Sequence, residues 1–126
     1  ALSDPMGSSL YSYIKNNKLE SNGNSITEGI GTGRITKNFE KAIIDDAFQT
    51  DDVEALNIVY DLIEKQNIVL GGSSGINIAG AIKLAKKLGK GKTIITILCD
   101  DGRRYASKIF NKEFLKSKNL PIPKWL

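Results

Sequence analysis

From about residue 42 onward, short apolar runs alternate with longer segments whose apolar residues recur at helical spacing. Strands are predicted over residues 42–49, 68–70 and 93–98, and the last of these, Thr-Ile-Ile-Thr-Ile-Leu, carries the strongest strand signal. Amphipathic helices are predicted over residues 52–66 and 76–88. Because strands and helices that alternate with tight connections pack as layers, we expect an α/β fold, a parallel sheet with flanking helices.

Polar residues and glycines mark the ends of these helices. Asp51 is the expected N-cap of the first one, and Glu54 completes a capping box. Gly89 is a natural C-terminal stop for the second. Residues 6–18 can also form a helix, and a last helical stretch is expected to end at Lys118.

The length, hydrophobic content and net charge limit the classes of partner that the chain is expected to bind. A length of 126 residues, 40% of them hydrophobic, fits an ordinary globular domain. No apolar run approaches the roughly 18 residues of a membrane span, and the N-terminus has no signal-peptide pattern. The net charge of +4 favours a solubilising surface over a nucleic-acid interface. We therefore expect neither a nucleic acid nor a membrane as partner.

The chain has no His, which excludes a Ser-His-Asp or Cys-His catalytic site and a His-based metal site. Its single cysteine, Cys99, cannot form an internal disulfide, so a reducing compartment, the cytoplasm, is expected. We expect this cysteine to be a small buried residue, since no basic neighbour would activate its thiol. Because the chain starts without Met, we also expect it to begin inside a longer polypeptide.

Residues 71–75, Gly-Gly-Ser-Ser-Gly, lie between a predicted strand and a predicted helix. In a parallel sheet this is the edge where ligands bind, and free N–H groups at a helix start attract negative charge. Ser73 and Ser74 add hydroxyls that can bond a polar ligand atom. A serine there can equally be a plain N-cap, and the spacing leaves both interpretations open. No Gly-Lys-Ser/Thr sequence supports a Walker-type phosphate loop.

Residues 28–34, Glu-Gly-Ile-Gly-Thr-Gly-Arg, superficially match a dinucleotide fingerprint. No clear strand precedes them and no amphipathic helix follows, so the match lacks the required context. Asp100 follows the strand predicted over residues 93–98 and is a natural turn former. Trp125 is expected to anchor the C-terminal tail by packing.

Taken together, four motifs are far more specific than any one alone. Residues 4–8 read Asp-Pro-Met-Gly-Ser, residues 28–34 and 71–77 carry the two glycine clusters, and residues 97–108 read Ile-Leu-Cys-Asp-Asp-Gly-Arg-Arg-Tyr-Ala-Ser-Lys. In this order they resemble the C-terminal part of a cysteine synthase of the pyridoxal-phosphate-dependent type, in the family shared with cystathionine β-synthase. The resemblance covers essentially the whole chain.

This resemblance implies an enzyme of fold type II, with two α/β domains and pyridoxal 5'-phosphate between them. Residues 1–126 would supply most of the later half of the larger domain, an incomplete domain. The implied reaction makes L-cysteine: an activated serine, usually O-acetylserine, loses its β-substituent and sulfide takes its place. A cystathionine β-synthase-type enzyme or another fold type II lyase, and a stand-alone phosphate- or nucleotide-binding α/β module, remain alternatives. Relatives are commonly homodimers.

The resemblance implies cofactor contacts at Ser73, Gly29, Gly31, Gly72 and Asp100. Ser73 matches the serine whose hydroxyl bonds the pyridine nitrogen, and the loop with Gly29 and Gly31 faces the cleft. The family's Schiff-base lysine, phosphate loop and substrate-carboxylate loop have no match in this chain. We therefore expect no catalytic residue here, and an activity that requires the missing N-terminal portion of the enzyme.

Overall fold

The structure is a computed structural model that describes residues 1–126. In chain order its elements are β1 (Leu2–Pro5), α1 (Leu10–Asn16), α2 (Lys37–Glu40), β2 (Ala47–Thr50), α3 (Asp52–Gln66), α4 (Gly72–Leu88), a 3₁₀ turn (Gly102–Tyr105) and α5 (Lys112–Ser117). None of these helices combines the length and the apolar character that a membrane span needs.

A small parallel sheet forms the centre of the fold. β1 and β2 pair in parallel, with Leu2 opposite Ala47 and Pro5 opposite Thr50. Helix α4 packs on both strands, and the Ser3 hydroxyl on β1 donates to the carbonyl oxygen of Ile76 on α4 at 2.6 Å. The expected α/β arrangement of a parallel sheet with flanking helices is therefore confirmed.

Local signals place α3 and the end of α4. The side chain of Asp51 accepts from the Glu54 N–H at 2.8 Å, so the expected N-cap is confirmed and α3 has the predicted bounds. Gly89 ends α4 as predicted, with a positive φ of 76°. The start of α4 was predicted too late, because the helix begins at Gly72 with Gly71 as its N-cap.

Helices α3 and α4 approach closely because a glycine lies at their contact. A Cβ added to Gly75 would come within 2.4 Å of the Ala55 carbonyl oxygen. The adjacent core consists of five buried residues from α3 and the C-terminal part of the chain: Leu56, Val59, Tyr60, Ile109 and Leu115. The Trp125 ring packs edge-on against Tyr60 with centroids 5.7 Å apart, which is the packing role expected for it.

Two predicted strands are wrong. Over residues 68–70 only Leu70 forms a bridge, which is antiparallel, to Asp101. Residues 93–98 form no strand, and Ile95 and Ile97 are 88% and 65% exposed. Their apolar, β-branched composition favours a strand, but a strand needs a neighbour for its backbone N–H and C=O groups. Here β1 and β2 pair only with each other.

The remaining elements are shorter than predicted. The strand expected over residues 42–49 is confined to Ala47–Thr50, and the helix expected over residues 6–18 to Leu10–Asn16. The last helical stretch divides into the 3₁₀ turn Gly102–Tyr105 and α5, Lys112–Ser117, where the Asn111 side chain caps a new helix.

Replacing Tyr60 by Phe tests the core. The Tyr60 hydroxyl donates to the Ile109 carbonyl oxygen at 2.7 Å, so Tyr60→Phe should lower the free energy of unfolding by about 1 kcal/mol. Burial raises the pKa of Tyr60 to about 12. Between about pH 10 and this value the unfolded tyrosine ionises before the folded one, which lowers stability as pH rises. The Phe variant should lose less stability over that range.

Urea unfolding at neutral and alkaline pH measures both effects. Tyr13→Phe is the matched control, because the Tyr13 ring packs near Phe39 and its hydroxyl has no hydrogen-bond partner in the chain. Equal stability losses in the two variants would contradict the assignment.

Candidate functional site

The first turn of α4 carries two buried serines with different surroundings. The Ser74 Oγ accepts from the backbone N–H of Cys99 at 2.9 Å. Ser73 is equally part of the buried turn, but its hydroxyl forms no hydrogen bond within the chain. Because the N-cap is Gly71, the interpretation of these serines as plain N-caps is wrong. Ser74 is a structural residue, and the Ser73 hydroxyl remains available to a ligand.

The segment after Cys99 lies directly against the turn that precedes α4. The Gly71 N–H donates to the Asp100 carbonyl oxygen at 3.0 Å, and the Gly102 N–H donates to the Val69 carbonyl oxygen at 3.2 Å. A Cβ on Gly71 would lie 2.6 Å from Asp100 Oδ1 and 2.7 Å from a ring carbon of Tyr105. Only glycine at position 71 allows this close approach.

Asp100 has one bonded and one unbonded carboxylate oxygen. The Tyr105 hydroxyl donates to Oδ2 at 2.7 Å, and this bond raises the pKa of the Tyr105 phenol. Oδ1 is buried and has no hydrogen-bond partner in the chain. A buried carboxylate oxygen without a hydrogen-bond partner lowers the stability of the fold.

The glycine loop reaches the same place from the other side. A Cβ on Gly72 would lie 3.3 Å from the Thr27 side chain, so residue 27 contacts the first turn of α4. Gly29 and Gly31 have φ values of 74° and 80°, a left-handed conformation that favours glycine. Gly29 has open space around it, whereas the position of a Cβ on Gly31 is blocked by Pro5 at 2.7 Å.

The first motif holds the far end of this loop. The Ser8 Oγ accepts from the Thr32 N–H at 3.0 Å and donates to the Thr32 carbonyl oxygen at 3.1 Å. A cavity of about 300 Å³ lies between the two segments, and its lining includes five polar side chains: Ser8, Asn24, Ser25, Thr27 and Thr32. On the other side, Glu28 forms an ion pair with Lys108.

Three of the sequence motifs therefore meet at the N-terminus of α4, and the first, residues 4–8, contacts the glycine loop at Gly31 and Thr32. Gly72 and Ser73 lie on the helix, Asp100 lies beside it, and the loop with Gly29 and Gly31 packs against it through Thr27. The expectation that Cys99 is buried is wrong: it is exposed, because the apolar segment before it has no neighbouring strand.

Two residues beside the site were missed in the sequence: Thr27, and Asp52, whose carboxylate accepts from the Thr27 hydroxyl at 3.4 Å. Thr27 immediately precedes the Glu-Gly-Ile-Gly motif, so its position carried a signal. Tyr105, within the fourth motif, is expected from the sequence to be structural, and its bond to Asp100 agrees with that role. Asp52 follows a strong N-cap, where its carboxylate is indistinguishable from one that only favours the helix dipole.

Comparison with known proteins identifies the family. The model of the family described as "Pyridoxal-phosphate dependent enzyme" matches residues 1–100. The chain belongs to the pyridoxal-phosphate-dependent enzymes. Cysteine synthase 1 of Emericella nidulans is 43% identical to it over 131 residues, which cover 99% of this chain and 35% of the relative. A cysteine synthase of Dictyostelium discoideum is 40% identical over 131 residues, 96% of this chain and 35% of the relative.

A solved structure supports the same family. The crystal structure of the O-acetylserine dependent cystathionine beta-synthase from Helicobacter pylori is 33% identical and aligns with a TM-score of 0.70. That alignment covers 83% of this chain and 32% of the Helicobacter chain. The chain thus spans about a third of the length of the relatives it matches.

The residues around α4 fit the cofactor of this family. The pyridine ring offers one nitrogen to a hydrogen-bonding side chain, and the Ser73 hydroxyl is free of partners in the chain. The N-terminus of α4, a 17-residue helix, also favours a partial negative charge on a group bound there.

The Tyr105–Asp100 hydrogen bond can be tested by a double-mutant cycle. Tyr105→Phe removes the only hydroxyl donor to a half-buried carboxylate and should lower the free energy of unfolding by about 1.5 kcal/mol. Asp100→Ala removes the acceptor and should cost at least as much, and the double variant should cost less than the sum, because both changes remove the same bond. Thermal or urea unfolding measures the four proteins. Strict additivity would show that the two side chains do not interact.

Proposed function

We propose that this chain is the C-terminal segment of a cysteine synthase, an enzyme that makes L-cysteine from O-acetylserine and sulfide. The observation that carries the proposal is that the segments around Asp100 and Thr27 both contact the first turn of α4, where the Ser73 hydroxyl has no hydrogen-bond partner in the chain. The names of the fungal and Dictyostelium relatives support this choice of reaction. Since the chain spans about a third of their length, the activity is assigned to the complete enzyme and not to residues 1–126 alone.

Ser73 is the proposed partner of the pyridine nitrogen. Bound pyridoxal phosphate supplies an electron sink that allows a β-substituent to leave an attached amino acid. A neutral hydroxyl, unlike a carboxylate, does not hold the ring nitrogen protonated. The ring then withdraws electrons less strongly, which suits β-elimination better than reactions that need a long-lived carbanion. Ser73 therefore orients the ring and tunes it, without moving a proton of the substrate.

The other cofactor residues act as supports. Gly29 and Gly31 give their loop a left-handed backbone that can approach the cofactor and the substrate, and Gly72 provides a backbone N–H at the start of α4. Asp100 supports the turn before α4 through its backbone bond to Gly71. No residue of this chain is proposed as catalytic, because the Schiff-base lysine has no match in it.

We infer that the N-terminal portion of the enzyme covers the apolar edge formed by residues 93–98. Ile95, Ile97 and Leu98 are all exposed there. The same segment lines an open cavity of about 210 Å³ together with Leu2 and Phe48 of the two strands. An exposed apolar patch with an unpaired backbone marks a surface that another part of a protein covers. Residues 1–126 are accordingly proposed to be an incomplete domain.

The resemblance to the family supports a homodimer as the working assembly, and the single cysteine is compatible with the proposed cytoplasmic location. The name of the Helicobacter structure supports a second candidate function, a cystathionine β-synthase-type reaction that uses the same half of the fold. In that case homocysteine, instead of sulfide, would replace the leaving group.

Absorbance and product-formation assays of the complete enzyme distinguish these functions. It should show the visible absorbance band of bound pyridoxal phosphate and form cysteine from O-acetylserine and sulfide faster than it forms a product from homocysteine. Preference for homocysteine would select the second candidate. An enzyme without the band would overturn both, and would favour a phosphate- or nucleotide-binding module.

Ser73→Ala and Ser74→Ala form a matched pair for the proposed role of Ser73. In the complete enzyme, Ser73→Ala should reduce cofactor affinity or kcat roughly tenfold, the equivalent of one lost hydrogen bond. Ser74→Ala removes the acceptor of the Cys99 N–H and should lower the melting temperature with a smaller effect on kcat. Cofactor titration, steady-state kinetics and thermal unfolding measure the three quantities. Equal kinetic losses in the two variants would refute the assignment of Ser73.

A further inference from the structure

The segment between α1 and β2 is long and contains almost no regular structure. Its only element is α2, a helix of four residues, and Gly23, Gly29 and Gly31 all have positive φ values. Loops of this length without regular structure are uncommon, and holding one conformation costs considerable backbone entropy. The part of this segment that contacts α4, residues 25–31, therefore requires hydrogen bonds from other elements to hold one conformation.

Asp52, the first residue of α3, accepts three of these hydrogen bonds. Its Oδ1 accepts from the Ser25 hydroxyl at 2.5 Å and from the Thr27 hydroxyl at 3.4 Å. Its Oδ2 accepts from the backbone N–H of Ile26 at 2.9 Å. Three consecutive residues of the loop thus bond one carboxylate, and the Ser25 Oγ in turn accepts from the Thr27 N–H at 3.0 Å.

The helix itself does not require this carboxylate as a cap. Asp51 is the N-cap of α3, and its side chain accepts from the Glu54 N–H at 2.8 Å. The two neighbouring aspartates at the start of α3 therefore have different roles: Asp51 caps the helix, and Asp52 bonds the loop. Both negative charges lie at the N-terminus of α3, where the helix dipole favours them.

The anchored loop is in contact with the residue next to Ser73. The Thr27 hydroxyl donates to the Asp52 carboxylate, and the Thr27 side chain is also the nearest one to Gly72, the first residue of α4. Beyond Thr27 the loop continues through Glu28, which pairs with Lys108, to the two left-handed glycines 29 and 31. A displacement of Thr27 would move these glycines relative to Ser73.

We propose that Asp52 is a positioning residue, which holds residues 25–31 against the N-terminus of α4 and so places the glycine loop over the site. Asp52 acts through Thr27 and the loop and does not itself contact cofactor or substrate. This role rests on the function proposed above, in which the loop faces the cleft for O-acetylserine.

The test compares Asp52→Ala with Asp51→Ala in the complete enzyme. Asp52→Ala should raise KM for O-acetylserine about tenfold with a smaller change in kcat, because the loop is displaced while Ser73 stays in place. Asp51→Ala removes only the helix cap, so it should lower the melting temperature and leave KM unchanged. Asp52→Asn keeps one acceptor oxygen and should restore part of the KM loss.

Hydrogen exchange supplies a readout that needs neither turnover nor cofactor. In Asp52→Ala the backbone amide of Ile26 should exchange about tenfold faster than in the unaltered enzyme, because its acceptor is gone, whereas Asp51→Ala should leave it unchanged. Equal KM values and equal exchange in the two alanine variants would overturn the role of Asp52. An unaltered enzyme that forms no cysteine would count against the proposed function, and the exchange comparison would still decide whether Asp52 anchors the loop.

Discussion

The backbone pairing between residues 69–71 and residues 100–102 is the contact on which the site depends. Two N–H groups, those of Gly71 and Gly102, donate across it, and the Ser74 hydroxyl extends it to Cys99. This pairing ends the apolar run before α4, brings Asp100 beside the first helical turn, and leaves Ser73 as the serine without an internal partner. It tolerates no side chain at position 71, since a Cβ there would lie 2.6 Å from Asp100 Oδ1.

The parts of this arrangement that local chemistry determines could be predicted from the sequence. The bounds of α3 follow from the Asp51 cap and the helical spacing of apolar residues after it, and the end of α4 follows from Gly89. The glycine-rich connection at residues 71–75 left a plain N-cap and a ligand site equally open, and only the family resemblance implied a cofactor contact at Ser73. Asp100 lies near it because Leu70 and Asp101 form an antiparallel bridge, a pairing that the predicted parallel strands did not indicate.

Features that depend on distant partners could not be predicted in the same way. Residues 93–98 have the composition of a strand. A strand forms only where a neighbouring strand pairs with it, and no strand lies beside these residues. The exposure of Cys99 is a consequence of that missing neighbour. The role of Asp52 depends on donors 25–27 residues away in the chain, and a carboxylate at a helix start gives no sign of which distant groups it bonds.

The chain has no His, so the residues that meet at this site include no imidazole. The groups that meet at the N-terminus of α4 are a hydroxyl, glycine backbone and one carboxylate, and that carboxylate already accepts from Tyr105. Such a set can bind and orient a cofactor. In the proposed function none of these residues transfers a proton: Ser73 orients and tunes the cofactor ring, and Asp52 holds the loop beside it. The three bonds to Asp52 then act one step further from the reaction than the Ser73 hydroxyl, because they place the loop, whereas Ser73 is the proposed contact to the cofactor.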